Sequence, residues 1–364
     1  VRRTAALIAG GGPAGAAAAI TLAQGGARPL LIERQAEPQD VVCGGFLGWD
    51  ALSSLDALGI DAMALGARPI SMMRLIAGER RVEAALPHMA AGLSRRTLDA
   101  ALLDRAAAAG AAIERGVAIR RAKGPPFKLD LADGASIAAD ALFLASGKHE
   151  LRGLARPRAA GGAVGLRARL TPSPELASEL AGVIELHLFA HGYAGLLVQE
   201  DGSVNLCLSI AAARLAEAGG KPERLLASFA GEAPVLADRI GAANAIGAWS
   251  AVAGVPYGWR AQESPPGLFR LGDQAAVIAS LAGDGIAIAI RSGRAAAVAY
   301  LRDGPDGAPG FQHEFAQRAG QPLRFAGALR RMAENRTLAQ PLLGLLGRTP
   351  GLAALLARMT RIGS

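Results

Sequence analysis

The sequence predicts an α/β fold: a parallel sheet wound with helices, an inserted antiparallel sheet and a helical C-terminal segment. Three observations lead to it. The stretch "TAALIAGGGPAGAAAAITLAQGGARPLLIER" reads as strand, glycine-rich turn, helix and second strand. Segments between 161 and 261 alternate apolar and polar residues, as antiparallel strands do. Residues 311–364 carry a helical pattern. With 364 residues, 51% hydrophobic and 19% charged, the chain is globular and long enough for two or so domains. Aromatics are only 4%, so the core must come from Ala, Leu, Ile and Val.

The first strand, Ala5 to Ala9, is a short apolar run of the kind buried in parallel sheets. Gly10, Gly12 and Gly15 then spell GxGxxG, with Pro13 and Ala14 between them. Gly10 permits the tight turn, Gly12 lets backbone approach a pyrophosphate, and Gly15 lets helix and strand pack closely. The helix, Ala14 to Gln24, stops at Gly25-Gly26 and offers free N–H groups to phosphates at its start. "PLLIER" is the second strand. Glu33 lies 18 residues after Gly15, where a carboxylate can accept from ribose hydroxyls, and Arg34 follows it. GxGxxG alone is a weak signal and can be an accidental glycine-rich turn. Strand, helix, second strand and acid in this order favour a dinucleotide site, without separating NAD from FAD.

Asp50 is expected to cap a helix over 51–58, and 75–86 to form a strand or hairpin turning near Gly78. "SRRTLDAALLDRAAAAG" is an amphipathic helix with Ser94 or Thr97 near its start and Gly110 at its end. "AIERG" and "VAIRRAK" read as strands. "FKLDLADGASIAADALFLASG" is a hairpin turning at Asp133-Gly134 that leads into a buried strand, Ala141 to Ala145. Further on, "GYAGLLVQEDGSVNLCLSI" turns at Asp201-Gly202. In its second arm Val204, Leu206, Leu208 and Ile210 face one way, and Asn205, Cys207 and Ser209 the other, with one face buried. "GLFRLGDQAAVIASLAGDGIAIAIRSGRAAAVAYL" gives a strand, Leu268 to Leu271, a Gly-rich loop, and a helix from about Gly285. A loop over 303–306 precedes the tail, with turns expected at Gly320-Gln321-Pro322 and Thr349-Pro350-Gly351.

The net charge of +8 comes from scattered arginines, with no long basic run and no aromatic interleaving. That reads as a solvated basic surface, and no nucleic-acid partner is expected. Cys43 and Cys207 are the only cysteines, so there is no disulfide framework and no CxxC pattern. His187 and His191 are four apart, but no carboxylate or Cys cluster completes a metal site, and none is expected. No stretch of 18 apolar residues appears, since Asp284 breaks the most apolar one, 275–290. The N-terminus runs straight into a strand and does not read as a signal peptide. A cytoplasmic protein is expected, with room for a peripheral membrane contact; the oligomeric state stays open.

Several motifs in order over residues 4 to about 300 resemble the FAD-dependent oxidoreductases built like aromatic hydroxylases and geranylgeranyl reductases. They are GGGPAG with Glu33, "CGGF", "RRTLDAALL", "LASGKHELRG" and "RLGDQAAVIASLAGDGIAIA". The resemblance implies a Rossmann-like FAD-binding domain of the glutathione-reductase type, over 1–70, 92–160 and 262–304. The substrate domain would be 71–91 with 161–261, and 305–364 a helical C-terminal segment. It implies FAD as cofactor and NAD(P)H as electron donor. Asp273, after Gly272, would bind the ribityl chain, and the helix opening near Gly283, Gly285 and Ile286 would face the flavin N1/C2 carbonyl. A helix N-terminus suits the negative charge of reduced flavin there. Arg96 would sit over the pyrophosphate, with Arg95 as the alternative; an arginine at a helix N-terminus is unfavourable against the dipole and calls for an anion. Cys43 matches a cysteine beside the flavin, with Gly44 and Gly45 lying against the ring or pyrophosphate and Gly147 at the returning strand.

The hydroxylase branch carries Asp-Gly where this chain has Ser146-Gly147, and "GKHELRG" looks more like the reductase branch. The reductase pattern YxWxFP survives only as Tyr193 in "YAGLLV". The halogenase branch needs a tryptophan motif that is absent. Two chemistries remain: hydride transfer to a C=C bond, or oxygen-dependent hydroxylation of an electron-rich ring, each on a lipid-like or aromatic small molecule. A non-catalytic nucleotide-binding or RNA-modifying flavoprotein is the remote alternative. Cys43 and Tyr193 are the catalytic candidates. His187, Tyr193, Asn205, Cys207 and Tyr257 are the candidate polar residues of the substrate pocket.

Overall fold

A computed structural model of the chain describes residues 2–157, 162–349 and 351–362. The expected domain boundary at 160/161 and Pro350 of the expected 349–351 turn lie outside them. In chain order the strands are β1 (Arg2–Ala9), β2 (Leu30–Glu33), β3 (Phe46–Leu47), β4 (Arg68–Ala77), β5 (Arg80–Gly92), β6 (Ala112–Arg115), β7 (Ile119–Lys123) and β8 (Phe127–Leu131). They continue as β9 (Ser136–Leu144), β10 (Ala163–Pro172), β11 (Val183–Phe189), β12 (Gly192–Val198), β13 (Val204–Ala211), β14 (Ala243–Val255) and β15 (Leu268–Arg270). The helices are α1 (Pro13–Gln24), α2 (Trp49–Asp56), α3 (Arg95–Ala108), α4 (Pro174–Leu180), α5 (Ala212–Glu217) and α6 (Pro222–Ala227). After them come α7 (Phe229–Glu232), α8 (Pro234–Gly241), α9 (Gly285–Asp303), α10 (Gly307–Ala333), α11 (Arg336–Arg348) and α12 (Leu352–Met359).

Two sheets organise these elements. In the first, β6, β2, β1, β9 and β15 are parallel neighbours, and the β7–β8 hairpin pairs antiparallel with the first half of β9. Its strands are apolar on both faces because α1, α3 and α9 cover one side and the hairpin the other. Alanine lets α1 and α9 approach closely: a Cβ on Gly293 would lie 2.2 Å from the Ala14 carbonyl oxygen. Phe143 and Phe269 stack at 4.7 Å, with Tyr300 edge-on at 5.6 Å from Phe143, and fill the space that alanines leave.

The second sheet runs β14-β10-β13-β12-β11-β4-β5-β3. It is antiparallel except for the β4–β11 pair, which is parallel. It contains β4 from Arg68 and the short β3, both of which begin earlier in the chain than the expected insertion at 71. The expectation of one buried face on β13 needs correction. Val204, Leu206, Leu208 and Ile210 pack beneath α4 to α8, five short helices within the 161–261 stretch expected as an antiparallel-sheet domain. Asn205, Cys207 and Ser209 face inward and are largely covered too.

Three further expectations change. Gly48, not Asp50, is the cap position of α2; Asp50 sits in its first turn and accepts from Ala51 N at 3.0 Å. The residues 304–306 form a turn of 3-10 helix. The turn expected at 320–322 is absent, and α10 runs through Pro322. Phe311, Phe315, Ala319, Leu323 and Ala326 form one apolar stripe on both sides of that proline. Burying the whole stripe outweighs a local cost of about 3 kcal/mol.

Candidate functional site

The site starts where parallel strands end together. Gly10 N donates to Ile32 O at 2.9 Å, Ala145 N to Ala9 O at 2.9 Å, and Leu271 N to Leu144 O at 3.0 Å. These bonds bring four strand ends to one edge, the place where open α/β sheets bind ligands. The glycine turn meets its geometric demands: Gly10 has φ +115°, and a Cβ on Gly15 would lie 1.9 Å from Gly10 O. Glu33 Oε2 accepts from Gly11 N at 2.6 Å and Oε1 from Gln35 N at 2.9 Å. Arg34 stands beyond it, 2.8 Å from His149 Nε2.

The arginine at this turn is Arg95. Its Nη2 would lie 3.2 Å from a Cβ on Gly12, and Asp99, one helical turn on, holds it at 2.9 and 2.7 Å. Arg96, expected over the pyrophosphate, is exposed and reaches instead to Asp201 at 3.6 Å. Ser94 caps α3 by accepting from Thr97 N, which turns the first helical side chain inward and the second outward.

Asn205 ties the stretch "VVCGG" to the second sheet. Its Nδ2 donates to Cys43 O at 3.0 Å and Gly44 O at 2.8 Å, and its Oδ1 accepts from Arg167 Nε at 2.7 Å. Arg167 in turn pairs with Asp40 at 3.0 Å. Gly45 takes φ +71° at the end of this loop. Asn205 was expected in the substrate pocket. It is fully buried and holds the loop.

Two adjoining cavities share Gly12, Val42, Arg95, Gly147, Lys148 and Asp273 as walls. One, of about 430 Å³, runs over the glycine turn, Glu33, Arg34 and Asp40. The other, of about 320 Å³, passes Pro13, Ala14, Cys43, Gly44, Gly45 and Gly272 into an apolar chamber. Asp273 lies 3.3 Å from Lys148 Nζ, and this carboxylate raises the lysine pKa against the opposing effect of burial. Gly283 is left-handed, φ +74°, and Gly285 opens α9 with Ile286 behind it; all three border the chamber.

The chamber lies between the second sheet and the tail. Ile184, Leu186 and Leu188 of β11 face it, and Leu342, Leu346 and Leu356 of α11 and α12 close its far side. This wall was not expected; the helical pattern of the tail shows an amphipathic segment but not what it covers. Arg361 anchors it, pairing with Asp284 and, at 3.1 Å, with Asp50, and lying 4.1 Å over the Trp49 ring. Tyr193, Ser209, Tyr257 and Ser280 bring hydroxyls to the chamber. Tyr257 is 2.6 Å from Ser280 and 3.3 Å from Ser209. The buried Tyr193 hydroxyl makes no hydrogen bond of good geometry among the described residues, and burial holds its pKa well above the ordinary value against a smaller opposing pull from the nearby Ser280 and Ser209 hydroxyls. Cys207 also lines the chamber, its thiol pushed up to about 12 by burial and then by Cys43, so it stays protonated.

His187 faces away, a correction to its expected place. Alternation puts it with Glu185 beneath the sheet, 2.8 Å apart, where Arg74 also reaches Glu185 at 2.7 Å. His191 does not share its face; it sits beyond β11 in a left-handed turn, φ +59°. Among the described residues no group of three His, Cys, Asp or Glu could hold a metal.

The residues present fit FAD. The trough has the glycine turn and Glu33 at one end and the α9 N-terminus at the other, and Gly44, Gly147 and Gly285 have open space where a Cβ would stand. Residues 3–150 match the FAD binding domain family. That match spans the N-terminal 148 of 364 residues and supports FAD as the group this trough holds. The chain is 37% identical over 118 residues to a chloroplastic geranylgeranyl diphosphate reductase of Nicotiana tabacum, covering 31% of this chain and 24% of the relative. The corresponding Oryza sativa subsp. japonica protein is 37% identical over 121 residues, 33% and 26% of the two chains. The chain thus matches about a quarter of the length of these curated relatives. The fold is also that of a flavin-dependent brominase (TM-score 0.82, 16% identity, 98% and 93% covered). A geranylgeranyl bacteriochlorophyll reductase-like protein from Thermoplasma acidophilum gives 0.77 at 17% identity, with 100% and 94% covered. A probable FAD-dependent monooxygenase from Pseudomonas aeruginosa gives 0.69 at 17%, with 94% and 100% covered. No helix among the described residues is long and apolar enough to cross a membrane.

Proposed function

We propose that the protein reduces carbon–carbon double bonds of a lipid-like or aromatic small molecule, with FAD as resident cofactor and NAD(P)H as electron donor. The observation that carries this reading is Tyr193: a protonated, unpartnered phenol in an apolar chamber that opens onto the flavin end of the trough. When bound and reduced, FAD supplies a hydride. The chain does the rest. Tyr193 holds a proton at its hydroxyl for the carbon that hydride leaves basic, and Cys43, on the loop between trough and chamber, is the second donor candidate. The α9 N-terminus favours negative charge beside Gly285, and α11 and α12 keep water out. The same enclosure supports a second reading, hydroxylation with O₂.

Purified protein should bind FAD and be yellow; a colourless preparation that takes up no FAD sinks both readings. Reduced flavin that persists in air, and is reoxidised by an alkene, supports the reductase. Oxygen-dependent NAD(P)H turnover with a hydroxylated product or peroxide supports the monooxygenase and overturns it. We further place the protein in the cytoplasm against a lipid surface, since Leu338, Leu345, Leu355 and Met359 are exposed on the tail beside Arg336, Arg348 and Arg358. Co-sedimentation with anionic but not neutral vesicles is the expected result.

A further inference from the structure

We infer that the chamber takes an uncharged substrate bearing a hydroxyl or carbonyl, and rejects diphosphates and other polyanions. This rests on the flavoenzyme reading above and narrows its substrate class. Two sets of observations carry it.

The first is the state of the cations. Three described cationic side chains border the chamber, and each already has a carboxylate. Arg95 has Asp99, Lys148 has Asp273, and Arg361 has Asp50 and Asp284. Arg95 and Lys148 also stand at the cofactor end, on the wall shared with the neighbouring cavity. With Arg95 and Lys148 facing the cofactor, a diphosphate entering the chamber would lose its hydration and meet only Arg361, already paired with two carboxylates. Burying an uncompensated anion is far costlier than burying a hydroxyl.

The second is the hydroxyl group of residues. Tyr193 and Ser209 are direct cross-strand neighbours on β12 and β13, and Tyr257 bridges Ser209 to Ser280. Tyr193 alone of these makes no hydrogen bond, and the two bonds among the other three hydroxyls leave one further proton to offer. A buried phenol without a partner is unfavourable by itself, and a neutral acceptor on a ligand satisfies it. One hydroxyl or carbonyl, with an apolar remainder against Ile184, Leu186 and Leu342, matches this lining.

Two probe pairs test the inference on the FAD-loaded protein: geranylgeraniol against geranylgeranyl diphosphate, and 4-nonylphenol against 4-nonylphenyl phosphate. Binding is read by equilibrium dialysis and by the shift in flavin absorption. The neutral member of at least one pair should bind at least about tenfold more tightly than its phosphorylated partner. Tyr193→Phe should lower the neutral probe's affinity by about fivefold to tenfold and leave the anionic probe unchanged. Retention of FAD reports that the variant folds; should it lose FAD, Ser280→Ala gives the same comparison at the neighbouring hydroxyl. Equal or tighter binding of the phosphorylated members overturns the inference, and so does failure of both neutral probes to bind FAD-loaded protein. A protein that takes up no FAD fails earlier and differently, on the flavoenzyme reading itself.

Discussion

Asn205→Asp isolates the two hydrogen bonds that pin the Cys43–Gly45 loop. The change keeps the side chain's size and the acceptor that Arg167 Nε uses at 2.7 Å. It removes both donors and turns an acceptor toward Cys43 O and Gly44 O, now 3.0 and 2.8 Å away. A fully buried carbonyl left unmet costs about 1–3 kcal/mol. Both bonds here are only partly buried and Gly44 is exposed, so the two together cost about 1–3 kcal/mol, which the loop relieves by lifting toward solvent. Lifting carries Gly44 and Gly45 out of the trough wall. If about 1.4–2.8 kcal/mol of the cost appears in cofactor binding, FAD affinity falls 10- to 100-fold. The assay is titration of apoprotein with FAD by flavin fluorescence, with melting curves beside it. Asn244→Asp, on the exposed part of β14, adds the same charge elsewhere and serves as control. An Asn205→Asp protein that binds FAD within twofold of wild type and melts at the same temperature would refute the pin.

Arg95→Ala should weaken FAD binding by about tenfold or more, whereas Arg96→Ala should change it less than threefold; the same titration reads both, since charge-assisted contacts are worth about 1.5–3 kcal/mol. Gly293→Ala should destabilise the fold by about 1–3 kcal/mol in urea, because the methyl would meet Ala14 O at 2.2 Å and push α9 from α1. Stability should also fall in acid. Burial alone would raise the Glu185 pKa, but hydrogen bonds from His187, Arg74 and Arg239 hold it at about 2, against an ordinary 4.5. Its folded value lies below its unfolded one, so this contribution, about 3 kcal/mol, is complete above pH 4.5 and is lost as pH falls toward 2. His187, whose pKa burial lowers, acts in the same direction from 6.5 downward. Melting temperatures from pH 7 to 3 should drop steeply in wild type and with a flatter slope in Glu185→Gln.

What could be read from the sequence is what is encoded locally. The glycine turn, Glu33 and the Gly272–Asp273 pair declare themselves because a turn, a strand end and a helix start each need particular residues within a few positions. The misplacements arise where a side chain could point two ways. Alternation says that His187 and Glu185 share a face; it does not say that Ile184, Leu186 and Leu188 own the chamber. Arg95 and Arg96 are adjacent, and only the cap at Ser94 decides which turns inward. Asn205 reads as an inward polar residue, and its task depends on a loop 161 residues earlier in the chain. The tail's role depends on Arg361 finding Asp284 and Asp50, a pairing no spacing predicts.

The Asn205 pin also makes the loop and the sheet a single mechanical piece. Cys207 and Ser209, which border the chamber, are on the same face of the same strand as Asn205. A molecule that displaces β13 drags the carbonyls of Cys43 and Gly44 with it, and those lie along the trough. Occupancy of the chamber is therefore written into the environment of the bound chromophore. The protein's own colour becomes a gauge of whether its substrate is seated, readable in a cuvette before any turnover begins.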